Sequence, residues 1–447
     1  MAESAHGPPA ADEDLAAALD QFRKLVHPEM LNALQPSGPA TVYTSWVTVW
    51  LLIYQRLNRN ASLQSAVAEL LKIAGAISQN KRVREGTLSS NTGAYSRARL
   101  RLKTTVADAV ADHVFETIVQ STPPSLGDRR VFVMDGTTLS LPSSEPLRRR
   151  WPPGTNQHGA GTWPICLLVV AHELASGAAI RPEVGAMYGP DADSELALAT
   201  RLIPRLPAKS VLMADRNFGV FGFFHAAVAA GHDVLARLTE PRFQALKRSA
   251  QSVGPGEWSL CWEPTRFNRK TDPSLPADAK VQVRLHEFVG FSGKILGIAT
   301  TSTADVKVLA KLYAKRWAVE TDIRQFKRTL VGDALSGRSV EVILKELAIA
   351  MVSYNLVVQV RRIAADRVKL PPRRLSFTGV WSLVANILLS PNEWTAEEWQ
   401  RRFEGVLRGA VQRKLPNRPD RSFPRTVIPR GRKFPERPRP KKDEPVK

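Results

Sequence analysis

Short apolar runs that alternate with helical patterns constrain the fold of this chain most. The runs are apolar almost throughout, which is typical of strands buried on both faces of a sheet. They cover residues 131–134 (VFVM), 162–172 and 210–214 (SVLMA). Helical patterns lie between and after them, at residues 194–204 and 221–230. Apolar strands followed by helices predict an α/β core with a mixed sheet.

Two aspartates stand directly after predicted strands. Asp135 follows residues 131–134, and Asp215 follows residues 210–214. Folds of the α/β class place ligand-binding groups at strand ends, because side chains there face a crevice yet are held by a rigid sheet. Asp135 and Gly136 could instead form a simple turn, whereas Asp215 leads into a helix. With a third carboxylate the pair would suit Mg²⁺ or Mn²⁺, and no His/Cys cluster competes as a zinc site.

The third carboxylate comes from residues 309–330 (LAKLYAKRWAVETDIRQFKRTL), which contain no Pro or Gly and predict one helix with Asp305 near its N-cap. One stripe of this helix is apolar, and a polar stripe runs beside it because spacings of 3, 4 and 7 return to one face. The polar stripe consists of Tyr313, Arg316, Glu320 and Lys327. The alternative is a surface helix in which Glu320 pairs with Arg316 or Arg324, each pair contributing about 0.2–0.5 kcal/mol.

The chain is strongly basic, with 63 Lys and Arg against 42 Asp and Glu and a formal net charge of +21. Such a surplus favours a polyanionic partner, since each neutralised phosphate releases a condensed counterion. Generic solubility or attraction to a membrane surface is the alternative. Cys166 and Cys261 form neither a CxxC motif nor a disulfide framework, which fits a reducing cytoplasm. No signal peptide or membrane-spanning run is visible, so we expect a soluble protein.

The remaining patterns divide the chain into five parts. They are residues 1–125 (helical, DNA-binding), 126–240 (first α/β part), 241–300 (β-rich insertion), 301–370 (second α/β part) and 371–447 (helices and a basic, Pro-rich tail). A long helix predicted from about Thr92 carries cations in its first turns, which oppose the helix dipole. They form a candidate DNA-binding surface, or else a solvated basic face: Arg97, Arg99, Arg101 and Lys103. From residue 412 the tail holds thirteen Lys and Arg, four acids and eight prolines, which predicts disorder.

The three acidic residues lie in segments that resemble those of bacterial DDE transposases, in the insertion-sequence family numbered four. The pattern Tyr-x2-Arg-x3-Glu-x6-Lys matches the YREK signature of that family. VFVMDGTTLSLP resembles the segment with its first catalytic Asp, and ADRNFG resembles the segment with its second. The similarity covers roughly residues 90–365. It implies an RNase H-like domain in which Asp135, Asp215 and Glu320 are catalytic and bind two divalent ions, Mg²⁺ or Mn²⁺.

The resemblance also implies contacts with DNA. Tyr313, Arg316 and Lys327 would contact phosphates around the scissile bond, with Arg324 adding charge. In relatives that excise through a hairpin, aromatic residues stack on a flipped base, at about 1–3 kcal/mol per base. The candidates are Trp258, Trp262 and Trp317, although tryptophans of the insertion could instead belong to its core. The implied assembly is a homodimer acting on paired terminal inverted repeats and target DNA, associated with the bacterial nucleoid.

The expected fold is therefore α/β: an RNase H-like mixed sheet flanked by helices, interrupted by a small β insertion, with an N-terminal helical domain and a C-terminal helical region plus a disordered basic tail. The expected function is metal-dependent cut-and-paste DNA transposition by two-metal phosphoryl transfer. Two alternatives stay open. One is an RNase H-like nuclease that cleaves DNA without joining ends, and the other is a catalytically inactive, transposase-derived DNA-binding protein.

Overall fold

The computed structural model describes residues 24–38, 40–59, 61–77, 80–157, 159–289, 295–327, 335–388 and 395–416. The chain up to Lys414 forms one compact unit, and residues 415–447 fall outside it. The tail with predicted disorder lies beyond the described residues from position 417 onward. Within the described ranges, no helix is both long and apolar enough to cross a membrane.

Helices surround the sheet and make up most of the N-terminal and C-terminal parts. In chain order they are α1 (Pro28–Leu34), α2 (Ser45–Leu57), α3 (Leu63–Ile77), α4 (Lys81–Arg84), α5 (Gly93–Arg101), α6 (Thr104–Gln120), α7 (Glu145–Arg150), α8 (Glu195–Leu202), α9 (Phe221–Ala229), α10 (Glu240–Ser249), α11 (Arg266–Thr271), α12 (Val306–Ala314), α13 (Trp317–Gln325), α14 (Val340–Arg367), α15 (Phe377–Leu388) and α16 (Ala396–Gln412). Short 3₁₀ turns cover Ile203–Arg205 and Pro372–Arg374.

A single large sheet holds the strands of the core. The strands are β1 (Val131–Ser140), β2 (Thr155–Asn156), β3 (Gly159–Ala160), β4 (Ile165–Glu173), β5 (Glu183–Ala186), β6 (Val211–Ala214), β7 (Asp233–Arg237), β8 (Gln251–Gly254), β9 (Glu257–Trp262), β10 (Val281–Val289) and β11 (Ile295–Thr300). Nine of them form one sheet in the order β5-β4-β1-β6-β7-β11-β10-β9-β8, and β2 pairs with β3 alone. β1 is antiparallel to β4 and parallel to β6, which is parallel to β7.

The central strands are buried on both faces, as their unbroken apolar sequence predicts. Phe132 in β1, Leu212 in β6 and Leu235 in β7 are all 0 % exposed. Helix α14, 28 residues long, is buried along most of its length and packs against α6. The mixed sheet with helices packed on it confirms the predicted α/β, RNase H-like fold class.

The β-rich insertion continues the main sheet instead of forming a small sheet of its own. β11 pairs antiparallel with β7, with Ala299 opposite Ala236, and β10, β9 and β8 follow outward. Val283 and Leu285 of β10 are 0 % exposed and belong to the main core. The prediction of β structure holds, but the sequence does not indicate which sheet edge the strands join, because long-range pairing sets that choice.

Two helices that the sequence predicts as continuous are each broken once. Residues 309–330 do not form one helix, because α12 ends at Ala314, and Lys315 and Arg316 form a turn before α13. The helix predicted from Thr92 likewise divides into α5 and α6, since Lys103 is extended with φ −70° and ψ 141°. Neither break contains Pro or Gly, the residues that usually announce one. Asp305 does cap α12, by accepting hydrogen bonds from two amides of its first turn.

A buried group of charges joins the N-terminal helices to α14. We call it the Glu346 cluster, and it consists of Arg56, Arg99, Lys345 and Glu346. Arg99 donates to the carboxylate of Glu346, which is 0 % exposed, and Arg56 Nη2 lies 3.8 Å from Glu346 Oε1. Lys345 Nζ donates to three carbonyl oxygens at the end of α5 and just beyond it, at 2.8–3.2 Å. The N-terminal helices are therefore held to the core by charge as well as by apolar packing.

Candidate active site

Asp135 and Asp215 stand side by side on neighbouring strands. The parallel pairing of β1 with β6 ends at Met134 and Ala214, and the two aspartates are the next residues. β1 runs on to Ser140 along β4 alone, so Asp135 and Gly136 do not form the turn that the sequence allowed. Asp135 Oδ1 accepts from the amide of Gly136 at 2.8 Å, which fixes its side chain. Both carboxylates thus emerge at one level of a rigid sheet.

The carboxyl group of Asp135 is buried beside a second carboxylate, which makes its ionised form less favourable. The pKa of Asp135 is raised from 3.8 to about 6, first by burial and then by the neighbouring Asp215, while Arg316 opposes the rise. A nearby divalent cation would relieve this repulsion, and carboxylate oxygens are the hard ligands that Mg²⁺ and Mn²⁺ prefer. The residues present therefore fit such an ion.

Glu320, on α13, is held by an arginine that also faces the aspartates. Arg316 Nη2 donates to Glu320 Oε1 at 3.0 Å. Burial lowers the pKa of Arg316, but Tyr313, Glu320 and Asp215 outweigh it and raise the pKa overall, so the guanidinium stays charged. Among the described residues, no three His, Cys, Asp or Glu side chains are grouped closely enough to hold an ion. Arg316 thus interacts with both Glu320 and Asp135. The carboxylate of Glu320 is not grouped with those of Asp135 and Asp215.

Tyr313 is buried beside the pair, which differs from the phosphate contact expected from the sequence. Its side chain is 8 % exposed, and its hydroxyl donates to the carbonyl oxygen of Ala214 at 3.4 Å. Burial raises the pKa of the phenol to about 12, so the hydroxyl stays protonated and able to donate. In this structure Tyr313 fixes α12 to the end of β6, directly before Asp215.

Lys327 reaches the rim of the site just after α13. Its ammonium donates to Thr137 Oγ1 at 3.0 Å and to the carbonyl oxygen of Thr138 at 2.7 Å. Burial lowers the pKa of Lys327. The two threonines lie two and three residues beyond Asp135 on β1, so Lys327 brings a cation close to the aspartates. Arg324, in the last turn of α13, is exposed to solvent.

A buried ion-pair group, which we call the Asp322 clamp, fixes α13 to the core. It consists of Asp322, Arg361 and Arg373. Asp322 is 1 % exposed, accepts from Arg373 Nε at 2.8 Å and lies 3.8 Å from Arg361 Nη2. Residues two apart on a helix face roughly opposite directions, so burying Asp322 turns Glu320 away from the core.

A fourth acidic residue, Glu195, stands at the site and was missed by sequence reasoning. It is the first residue of α8, and a Cβ added to Gly136 would overlap its carboxyl group. Burial raises the pKa of Glu195, with Asp215 adding to the rise, and Glu195 in turn contributes to the raised pKa of Asp135. No spacing in the sequence relates Glu195 to the aspartates. The available signal was an acidic residue at the start of the helix predicted at residues 194–204, which precedes the strand that leads to Asp215.

The basic residues predicted on the N-terminal helices divide into two groups. Arg97, Arg101 and Lys103 are exposed. Arg99 is 8 % exposed and pairs with Glu346, so the prediction that it contacts DNA is not supported. Arg99 lies two residues from Arg97 on α5 and therefore faces inward where Arg97 faces outward. Arg97 and Arg101 line a cleft together with Arg82, and none of the described residues lining it is acidic.

The tryptophans of the insertion belong to the core, which is the alternative interpretation of the sequence. Trp262 is 6 % exposed and packs against Phe221 and Phe224. Trp258 is partly buried, and the ammonium of Lys247 lies 4.0 Å from the centre of its ring. Neither ring is presented for stacking on a base, and the side chain of Trp317 lies outside what the structure describes.

Another tryptophan is exposed beyond the end of β1. Trp163 is 58 % exposed. The next residue, Pro164, accepts a hydrogen bond from the amide of Leu141 at 2.9 Å, just past the end of β1. Trp163 thus lies beyond the same end of β1 that Lys327 contacts. Sequence reasoning passed over it because it forms part of the predicted apolar strand at residues 162–172.

The mixed sheet carries two aspartates side by side where the pairing of two parallel strands ends, and a later helix carries a glutamate. This is the arrangement of a DDE polynucleotidyl transferase. Residues 126–356, just over half of the 447 residues, match the family described as Transposase DDE domain. The chain belongs to this family: it is a DDE transposase, an enzyme that acts on DNA. Enzymes of this family use divalent metal ions. The family resemblance seen in the sequence is confirmed.

The chain is similar to a known transposase of an insertion sequence. It is 23 % identical over 319 residues to transposase InsG for insertion sequence element IS4 of Escherichia coli (strain K12), which covers 69 % of this chain and 70 % of the relative. Among solved structures, a variant of Ciona intestinalis endonuclease V in complex with a 23mer DNA matches 49 % of this chain and 97 % of its own, at 11 % identity. Its TM-score of 0.20 is too low to support a conclusion.

Proposed function

We propose that the protein carries out cut-and-paste transposition, cleaving the ends of an insertion sequence and joining them to target DNA in one active site. Asp135, Asp215 and Glu320 would hold two divalent ions, Mg²⁺ or Mn²⁺. The observation that carries the proposal is the side-by-side placement of Asp135 and Asp215 where β6 ends, with Glu320 on the nearby α13. The burial of Asp135 beside Asp215, which raises the pKa of Asp135, supports metal binding at this point.

The bound ions would activate the attacking oxygen and stabilise the leaving oxygen of an in-line displacement at phosphorus. The chain's own residues orient the reactants. Asp135 is fixed by the amide of Gly136, and Lys327 is fixed at Thr137 and Thr138, where its charge can meet a phosphate beside the aspartates. Because one phosphodiester is exchanged for another, the reaction needs no ATP.

Glu320 must change partners to join the aspartates. Its carboxylate is paired with Arg316, which also faces Asp135 and Asp215. A DNA phosphate binds a guanidinium strongly, often through two parallel hydrogen bonds. We therefore expect the scissile phosphate to compete for Arg316 and to release Glu320 toward the metal ions.

The basic cleft of the N-terminal helices is the DNA surface that we propose outside the catalytic centre. Arg82, Arg97 and Arg101 line it. Replacing one of them by Gln should weaken DNA binding and lower the slope of log Kobs against log salt by about 1 per lost phosphate contact. Lys209→Gln is the control, because Lys209 precedes β6 and so lies at the opposite end of the sheet from Asp215. Equal slopes for all variants would contradict this surface.

The catalytic proposal is tested with purified protein, Mg²⁺ and DNA that carries the native element ends. Asp135→Asn, Asp215→Asn and Glu320→Gln should each abolish cleavage and joining while leaving DNA binding intact. Asp191→Asn, which removes an exposed carboxylate near α8, is the matched control and should act like the wild type. Cleavage that persists in an aspartate variant would refute the assigned roles.

The products of the same assay separate the remaining possibilities. A transposase links a free 3′-OH end covalently to target DNA, whereas a nuclease stops after cleavage. Binding without any cleavage in Mg²⁺ or Mn²⁺ would identify an inactive derivative. The mass of the complex on paired ends tests the homodimer that we propose as the active assembly.

A further inference from the structure

We propose that Glu195 is a fourth acidic residue of the active site and binds a divalent ion together with Asp135 and Asp215. The inference rests on the proposed function, because it assigns a further residue to the same metal site.

The backbone around Glu195 is fixed without help from its carboxylate. Ser194 caps α8 by accepting from the amide of Ala197 at 3.1 Å. Leu198 and Leu202 of the same helix are 0 % exposed, and α8 packs against β4 and β5. The cap and the apolar face therefore place Glu195 at the edge of the site, and its own side chain remains available for another role.

Gly136 makes room for this carboxylate next to Asp135. A Cβ at position 136 would overlap the end of the Glu195 side chain, including Oε1. Gly136 lies within β1, opposite Val169 of β4, and its φ is not positive, so its backbone would accept any residue. The glycine is needed for space rather than for conformation, and that space is filled by the carboxyl group of Glu195.

The charges around Glu195 favour a cation. Within the described part of the chain, no ion pair involves Glu195, and its side chain accepts a hydrogen bond from Asn217. The amide of Asn217 donates to Asp215 Oδ1 at 2.8 Å, so one residue bridges the two acids. Arg316, the cation beside Asp135, is already paired with Glu320. A hard cation shared by Asp135, Asp215 and Glu195 would relieve the repulsion among them, and binding it would draw their carboxylates together, since among the described residues no three such acids are grouped closely enough to hold an ion.

A purely structural role for Glu195 is the alternative, because an acid in the first turn of a helix interacts favourably with the helix dipole. Metal affinity separates the two roles. We would measure Mn²⁺ binding to the full-length protein by electron paramagnetic resonance, without DNA, and compare Glu195→Gln with the wild type. We expect Glu195→Gln to weaken Mn²⁺ binding by about 10–100-fold. The unfolding temperature in EDTA should not fall.

Gly136→Ala provides a second, independent variant, since it displaces the Glu195 side chain while leaving it in the protein. It should weaken Mn²⁺ binding to a similar extent in the wild type, and it should have little further effect when Glu195 is already Ala. Asp191→Asn is the control and should bind Mn²⁺ as the wild type does.

The outcomes distinguish this inference from the proposed function. Loss of Mn²⁺ binding in Asp215→Asn with normal binding in Glu195→Gln would overturn the role of Glu195 and leave the catalytic proposal standing. Normal Mn²⁺ binding in both Asp135→Asn and Asp215→Asn would overturn the metal site itself, and with it both proposals.

Discussion

At the scale of single residues, Asp135 determines how the metal-free protein responds to pH. Its folded-state pKa of about 6 exceeds the usual value of 3.8. Between these values the folded chain keeps a proton that the unfolded chain has released, so stability falls as pH rises from about 4 to about 6. Without metal, Asp135→Asn should remove this loss and stabilise the protein at pH 7 by about 1–3 kcal/mol.

Thermal unfolding in EDTA between pH 4 and pH 8 checks this prediction. Asp191→Asn should keep the wild-type slope, because that carboxylate is exposed. Parallel curves for Asp135→Asn and the wild type would mean that the carboxyl of Asp135 titrates normally. With excess Mn²⁺ at pH 7, the wild type should become more stable than Asp135→Asn, because the ion stabilises the wild type and not the variant.

Trp163 gives a second prediction at this scale, on DNA binding. Its ring is 58 % exposed beyond the end of β1. If the ring stacks on a base of the bound DNA, Trp163→Ala should weaken binding of element ends by about 1–3 kcal/mol, whereas Trp163→Phe should keep most of the affinity. Fluorescence anisotropy with labelled DNA ends measures both. Unchanged affinity in Trp163→Ala would show that the exposed ring has no part in binding.

The sequence predicted the placement of Asp135 and Asp215 better than that of the other side chains. Each aspartate follows an apolar run that forms a buried strand, so its level in the sheet is defined, although only β6 ends there and β1 continues past Asp135 to Ser140. Glu195 and Arg99 were not predictable in the same way. Glu195 reaches the site through the packing of α8 on β4 and β5, and Arg99 faces inward because Glu346, 247 residues away, accepts its hydrogen bond.

At the scale of elements, the orientation of α13 depends on the Asp322 clamp. Asp322→Asn would leave the guanidinium of Arg361, which is 1 % exposed, without its counter-charge. Removing one partner of a buried ion pair costs about 3–5 kcal/mol, so we expect a marked fall in the free energy of unfolding. Cleavage activity should fall by more than the loss of folded protein explains, because Glu320 is on the same short helix as Asp322.

Denaturant unfolding measures the effect of Asp322→Asn on stability. Cleavage assays at denaturant concentrations below the unfolding transition measure its effect on activity. Asp366→Asn is the control, because Asp366 is an exposed acid on α14, and it should cost less than about 1 kcal/mol. Wild-type stability in Asp322→Asn would show that the two arginines do not depend on this carboxylate.

The elements themselves were largely predictable, and their breaks and pairings were not. Apolar runs and helical periodicity locate β6, α8 and α9 closely, and they locate the start of β1 but not its end at Ser140. The turn at Lys315 and Arg316 has no Pro or Gly to mark it, and it exists because Tyr313 packs against Ala214 while Asp322 is fixed by Arg373. The strands of the insertion likewise find the edge of β7 only through long-range pairing.

At the scale of the whole molecule, the Glu346 cluster couples the N-terminal helices to the core. In the wild type we expect α2, α5 and α14 to unfold in one transition, because Arg56 and Arg99 meet Glu346 in a buried site. Glu346→Gln should cost about 3–5 kcal/mol and separate the unfolding of the N-terminal helices from that of the sheet. Hydrogen exchange measured along the chain would detect the separation.

The matched control for this prediction is Glu341→Gln, which removes an exposed acid from the first turn of the same helix. Its unfolding should remain a single transition of nearly wild-type stability. A single transition in Glu346→Gln would instead mean that apolar packing alone joins the two regions. The division of the chain into domains at residue 125 stays a prediction that this experiment addresses.

The pairing of Glu320 with Arg316 has a consequence for the host cell. If Glu320 is the third catalytic acid, as we propose, a transposase that holds it against an arginine would have an incomplete reaction centre while it diffuses among chromosomal sequences. Hydrolysis would begin only where a correctly seated phosphate draws the arginine away. Such an enzyme would leave the genome of its host uncut during the search, and a mobile element that spares its host persists with it.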